Sequence, residues 1–432
     1  LPPHIFRPKG QAITGAKARQ KTKGDIMRAT VLPLATLLLG FSLLQMSNGL
    51  QGTLLAVRAG LEGFGGATTG LIMSGFFAGL SIGSFVAPRL ISGVGHIRTF
   101  AALASVASAA ALMHLAFVDP WVWIAVRCLT GFAFAGLIIV TESWLNASVS
   151  SAQRGKLLAV YGMVGMASGA AGQFLLNLGD PAEFILFVLV SIVMSLSLVP
   201  ISLSRVEGPR SEGAQEPPSL RRLWGLSPYG AVAAGLVGAS IGTFYGLAPL
   251  FAQEMGYTQS RIALLIAAFT IGGLVLQFPL GWMSDRMSRR GLGVGLAAAG
   301  SALMLLTLPI PAPTGTMLLV LGFAIGGLVL PAQSIVIAHV NDRAPGSAVV
   351  AVSGGLVLMQ GIGAAIGPLL AGVLLDTLGP RGLPLALGGF QLIIVAWGLL
   401  RMTLRSDPET QERHAAPPLT PNFVEGELSR EE

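Results

Sequence analysis

Charge is what this sequence has least of. Asp, Glu, Lys and Arg make up 11% of its 432 residues, against 53% hydrophobic residues and a mean hydropathy of +0.72. That scarcity excludes a soluble globular chain, whose surface could not cover so much apolar side chain. Cysteine is nearly absent too: Cys128 stands alone in an apolar stretch, so no disulfide can close within the chain. Nothing resembles a metal-ligand set, and no nucleophile stands with a base, so no enzyme and no cofactor is expected. Basic residues exceed acidic ones, 27 to 20, but they are scattered among short polar breaks. Membrane topology accounts for them better than nucleic acid does.

What the chain has in quantity is apolar runs and glycine. A bilayer crossing needs roughly 20 apolar residues, and such runs fall at 30–57, 67–88, 99–118, 120–145, 156–178 and 182–203. After a polar stretch, six more follow at 228–252, 260–282, 291–310, 315–340, 347–375 and 381–403. Most of the 57 glycines lie inside these runs, where small residues let helix backbones approach in lipid. The expected fold is therefore all-α, with twelve transmembrane helices.

The chain also repeats itself. Residues 131–143, GFAFAGLIIVTES, match 322–334, GFAIGGLVLPAQS, at six of thirteen positions. LLAVYG at 157–162 pairs with VVAVSG at 349–354, and Phe76 and Gly79 pair with Phe269 and Gly272. The offsets of 191, 192 and 193 are nearly constant, as expected for a transporter built from two copies of one unit. Five segments follow: a basic N-terminal stretch at 1–29, a six-helix bundle at 30–203, a linker at 204–227, a second bundle at 228–403 and a disordered tail at 404–432. The first residue is Leu1 and the first methionine Met27; a non-ATG start at Leu1 and a start at Met27 are two expectations for it. With both termini inside, cytoplasmic segments hold 23 of the 27 basic residues, and the opposite loops hold Arg58, Arg261 and Arg381. Cytoplasmic termini are the expected orientation.

Several residues stand out chemically. Arg127 and Glu142 are charges well inside one apolar span, which makes them functional candidates. Arg127 can instead snorkel to the headgroups, and Glu142 can form an ion pair with Arg154 or a loop arginine. Their separation of fifteen positions is about 22 Å along a helix, too far for contact. Ser42, Gln45 and Asn48 make a polar stripe on the first span, and Ser240 and Thr243, beside Tyr245, on the seventh. Either a wet cavity or interhelical hydrogen bonding accounts for such stripes. We expect Gln45, Asn48, Thr243, Tyr245 and Gln333 at a cavity, with Tyr161, Gln173, Gln277 and Gln360 as packing contacts. His114 and His339 are secondary proton-carrying candidates.

The loop at 281–290 reads GWMSDRMSRR. An anchor to anionic lipid is one reading of it. Its G-x-x-x-D-R-x-x-R-R pattern, between the eighth and ninth spans, resembles the loop signature of the major facilitator superfamily. GHIRTF at 95–100, ESWLN at 142–146 and Arg154-Gly155 are similar to its YcaD-like branch. The resemblance implies two pseudo-symmetric six-helix bundles and a cytoplasmic gate of Gly281, Asp285, Arg286, Arg289 and Arg290, with Asp285 docking near Arg154 and Lys156. The matching first-half loop carries Ser92 in place of the acid, with Arg98 beyond it, so the latches are expected to be unequal. Arg127 with Gly131 resembles the family's R-x-x-x-G element, which implies proton coupling. Gln173 stands where the family's antiporters have proline, which weakens a drug-antiporter assignment. The combined expectation is a monomeric inner-membrane transporter of a small organic solute, neutral or weakly charged, driven by protons. Export is favoured, uptake by symport is the alternative, and a non-transporting sensor or scaffold is the reading from another class.

Overall fold

The computed structural model describes residues 23–149, 151–203, 219–310, 314–345 and 349–404. The choice of start codon, residues 1–22, most of the linker and the tail beyond 404 lie outside the described residues.

The first half contains α1 (Lys23–Leu61), α2 (Gly66–Val94), α3 (His96–Ala116), α4 (Pro120–Ala147), α5 (Ser151–Phe174) and a sixth span formed by α6 (Ile185–Leu196) and α7 (Leu198–Ser202). A short helix, α8 (Leu220–Leu226), lies inside the expected linker and packs on α13 and α9. The second half contains α9 (Pro228–Glu254), α10 (Gln259–Ser284), α11 (Arg289–Leu305), α12 (Gly315–Asn341), α13 (Val349–Leu378) and α14 (Gly382–Leu404). Among the described residues, nine stretches are long and apolar enough to cross a membrane, the last covering both α13 and α14; α1 is not one of them. The helix α11 falls short at 17 residues.

Local chemistry sets the helix starts. The Asp119 carboxylate accepts the amide hydrogens of Trp121 and Val122 at 2.9 and 3.0 Å, with Pro120 in the first turn of α4. Ser227 followed by Pro228 starts α9, and Ser288 and Thr314 cap α11 and α12. Each side chain satisfies an amide that the helix itself leaves open.

The duplication is visible in the turns. The turn after α1 closes with Gly63 at φ 75°, Gly63 N–H on the Gly60 carbonyl and Phe64 N–H on the Ala59 carbonyl. The turn after α9 repeats it with Gly256 at φ 75°, Gly256 N–H on Gln253 and Tyr257 N–H on Ala252. Both are left-handed glycine caps that satisfy the last helical carbonyls. Packing follows the same twofold pattern: α2 on α4 as α10 on α12, α1 on α5 as α9 on α13, and α3 on α6 as α11 on α14. The repeated Phe supplies the close approach, its carbonyl lying against Gly131 for Phe76 and against Gly326 for Phe269. Between the halves, α2 packs on α13 and α5 on α10. The twelve-helix, two-bundle expectation is borne out.

Candidate functional site

Two ends of this barrel differ. One, called here the terminal end, carries the start of α1 and the finish of α14; the other is the far end. Between the halves lies a cavity of about 280 Å3, walled by α1, α2, α4 and α5 on one side and α9 and α10 on the other. Gln45 and Asn48 line it from α1, Tyr245 from α9 and Arg127 from α4. Arg127 is only 4% exposed, and its guanidinium carbon sits 4.5 Å from the centre of the Phe76 ring. Its Nε and Nη1 atoms, like Gln45 Oε1, have no hydrogen-bond partner among the described residues. The Tyr245 hydroxyl pairs with Thr270 at 2.9 Å. Gln173 lines the same cavity while tying α5 to α1, accepting from Thr53 at 2.5 Å and donating to the Gly49 carbonyl at 3.0 Å.

Two residues expected at this cavity stand elsewhere. Thr243 precedes Tyr245 by two positions, roughly 200° around the helix, and it is fully buried inside the second half. Its stripe partner Ser240 accepts from Gln391 of α14 at 2.8 Å, so that face serves packing. Gln333 donates to Gln360 at 2.8 Å, joining α12 to α13. A separate void of about 300 Å3 lies within the second half, walled by apolar side chains such as Phe251, Leu265 and Leu318. In the first half, Trp123 fills the first turn of α4 with no exposure; its repeat position is Thr314, outside α12.

Glu142 sits toward the terminal end of α4, beside Tyr161 of α5, and makes no ion pair with an arginine among the described residues. Tyr161 is held by stacking on Phe41, ring centres 4.1 Å apart. His114 is fully buried and bonds the Ala110 carbonyl at 2.8 Å, while His339 pairs with Arg343 at 2.8 Å.

At the far end hydrogen bonds join the two halves. Asp376, near the end of α13, accepts the amide hydrogens of Gly66 and Ala67 at the start of α2, at 2.5 and 2.8 Å. Gln259 of α10 donates to the carbonyls of Leu176 and Gly179, and Ser260 to Asn177 at 2.8 Å. At the terminal end Asp285 is 70% exposed and pairs with Arg289 four residues on, at 3.4 Å. Arg289 reaches Asp342 at 2.9 Å, Arg290 donates to the Arg401 carbonyl at 3.3 Å, and Arg286 stacks over Trp282 at 3.9 Å. These contacts fasten the second half to itself. Gly281 has open space around it, and Arg98, Arg154 and Lys156 are exposed. The expected docking of Asp285 near Arg154 is open in this conformation.

Asp376 was missed by sequence reasoning. The signal was a lone acid at the end of an apolar span together with a helix start, Gly65-Gly66, that has no capping side chain of its own.

Comparison with known proteins agrees with the fold. The Major Facilitator Superfamily profile matches residues 37–258 and 230–429. An uncharacterized MFS-type transporter of Yersinia pestis is 27% identical over 396 residues, covering 90% of this chain and all of that one. The MFS-type transporter YcaD of Escherichia fergusonii is 28% identical over 263 residues, 60% of this chain and 68% of that one. Among solved structures, the nucleoside transporter NupG superimposes with a TM-score of 0.71 at 14% identity, covering 88% of this chain and 100% of that one. The chain belongs to the major facilitator superfamily and is a multi-pass membrane transporter, not an enzyme.

Proposed function

We propose that this protein is a secondary active transporter that moves a small organic solute by rocking its two halves about the central cavity, driven by protons. The observation that carries this reading is the asymmetry of the ends. Hydrogen bonds between the halves gather at the far end, while the Asp285 loop at the terminal end bonds within its own half. With both termini in the cytoplasm of an inner membrane, as the basic residues indicate, the conformation is closed outside and open inside. Closure of the inner gate then brings Asp285 to the start of α5, where the helix dipole and Arg154 favour a carboxylate.

Glu142 is the proton carrier in this reading, as an acid inside an apolar span beside Tyr161. Arg127 keeps the cavity electropositive. A single chain encloses the whole cavity, which supports a monomer. Export by proton exchange is the direction we favour.

Proteoliposomes with an imposed pH gradient and a panel of small solutes test the proposal. Cargo movement that follows the gradient in the wild type and ignores it in Glu142→Gln is expected. Movement by Glu142→Gln with unchanged pH dependence removes Glu142 from the mechanism.

A further inference from the structure

Resting on the transporter reading above, we propose that the cargo bears one acidic group, a carboxylate or similar small oxyanion, and that Arg127 is its counter-ion in the central cavity. Arg127 is the one charged side chain among the described residues lining that cavity. It is 4% exposed, and Nε and Nη1 have no partner among the described residues. The guanidinium carbon lies over the Phe76 ring, 4.5 Å from its centre, and a guanidinium donates its hydrogen bonds in its own plane. Glu142, the other charge within α4, lies about 22 Å along the helix, too far to reach Arg127. Among the described residues, no internal acid therefore neutralises Arg127.

A buried cation without a partner is a poor use of a protein interior, and a guanidinium is shaped to take a carboxylate or phosphate through two parallel N–H bonds. An arriving oxyanion supplies the missing partner. The rest of the wall restricts the body of the cargo. Met73, Phe77 and Met166 give an adaptable apolar surface, and the amides of Gln45 and Asn48 stand ready for a second polar group. The class that fits is a compact amphipathic organic acid. An arginine inside an uncharged pocket also rejects cations by repulsion and leaves neutral analogues without the ionic bond.

Matched probes that differ in charge alone decide this: benzoate against benzamide, and cyclohexanecarboxylate against its amide, titrated into the purified full-length protein in nanodiscs with thermal unfolding as the readout. The acids are expected to bind about 10- to 100-fold tighter than the amides, the span set by one charge-assisted hydrogen-bonded pair. Arg127→Gln should abolish the preference and Arg127→Lys should keep part of it. Equal binding of acid and amide overturns the proposal, as does no binding by either, or a preference that survives Arg127→Gln. Should that variant fail to fold, a second measurement keeps Arg127 in place. In a Cys128→Ala background, Asn48→Cys is modified by an anionic sulfonate thiosulfonate and by a cationic trimethylammonium one. Faster reaction of the anionic reagent is expected; equal or inverted rates overturn the proposal. Both experiments read binding without transport. A protein that prefers acids but does not exchange conformations refutes the transport reading alone, and the reverse result refutes this one alone.

Discussion

Asp376 accepts the backbone N–H of Gly66 at 2.5 Å, so an acid from one half caps a helix of the other across 310 residues of sequence. The carboxylate replaces the side-chain cap that Gly65 cannot provide and sits at the positive end of the α2 dipole. In the proposed rocking motion this contact is broken when the far end opens, so it would stabilise the shut state selectively. Asp376→Ala should favour opening of the far end by about 0.5–2 kcal/mol, a population shift of roughly 2- to 30-fold. Labelling of a far-end cysteine by a membrane-impermeant reagent from the outside measures it.

A second prediction concerns the same seam. A Cβ on Gly70 would meet the Pro368 carbonyl, and one on Gly66 would meet the Gly372 carbonyl at 2.8 Å. Gly70→Ala should force α2 from α13 at a strain of about 1–3 kcal/mol, raising far-end labelling as Asp376→Ala does. The double variant should give less than the sum, since the sites share one interface.

The Glu142–Tyr161 pair yields a third. Tyr161→Phe removes the hydroxyl but keeps the acid, so transport should slow while its response to the pH gradient persists. Glu142→Gln should lose the response itself. Counterflow with no proton gradient separates the two, because exchange of cargo for cargo needs no net proton movement and should survive in both.

Gln333 and Gln360 provide a fourth, on stability. Truncating either to Ala leaves its partner short of a hydrogen bond between α12 and α13. Each single change should destabilise by about 1–3 kcal/mol, and the double change by less than the sum. Thermal unfolding measures the coupling, and acid binding in the central cavity should be unaffected.

The architecture was legible in the sequence because lipid imposes long apolar runs and duplication left GFA, GL and F-x-x-G at near-constant offsets. The paired glycine turns at Gly63 and Gly256, found in the structure, keep the same offset of 193 residues. The cavity was legible in part. Gln45, Asn48 and Arg127 line it, but Thr243 is buried away from it and Gln333 bonds Gln360 of its own half. A polar residue on an apolar helix announces a partner without saying on which side the partner lies. Asp376 was out of reach for a different reason: its partners are backbone amides of the opposite half, and no local pattern marks them.

The most direct test of the rocking account is a pair of distances in one protein. With Cys128 replaced by Ala, spin labels at Glu183 and Thr377 span the far end, and labels at Ser92 and Met287 span the terminal end; all four positions are exposed. Electron–electron resonance in nanodiscs, with and without a proton gradient or bound organic acid, reads both. The account predicts opposite changes, the far-end distance lengthening as the terminal-end distance shortens. Distances that stay fixed, or that change in the same sense, contradict it.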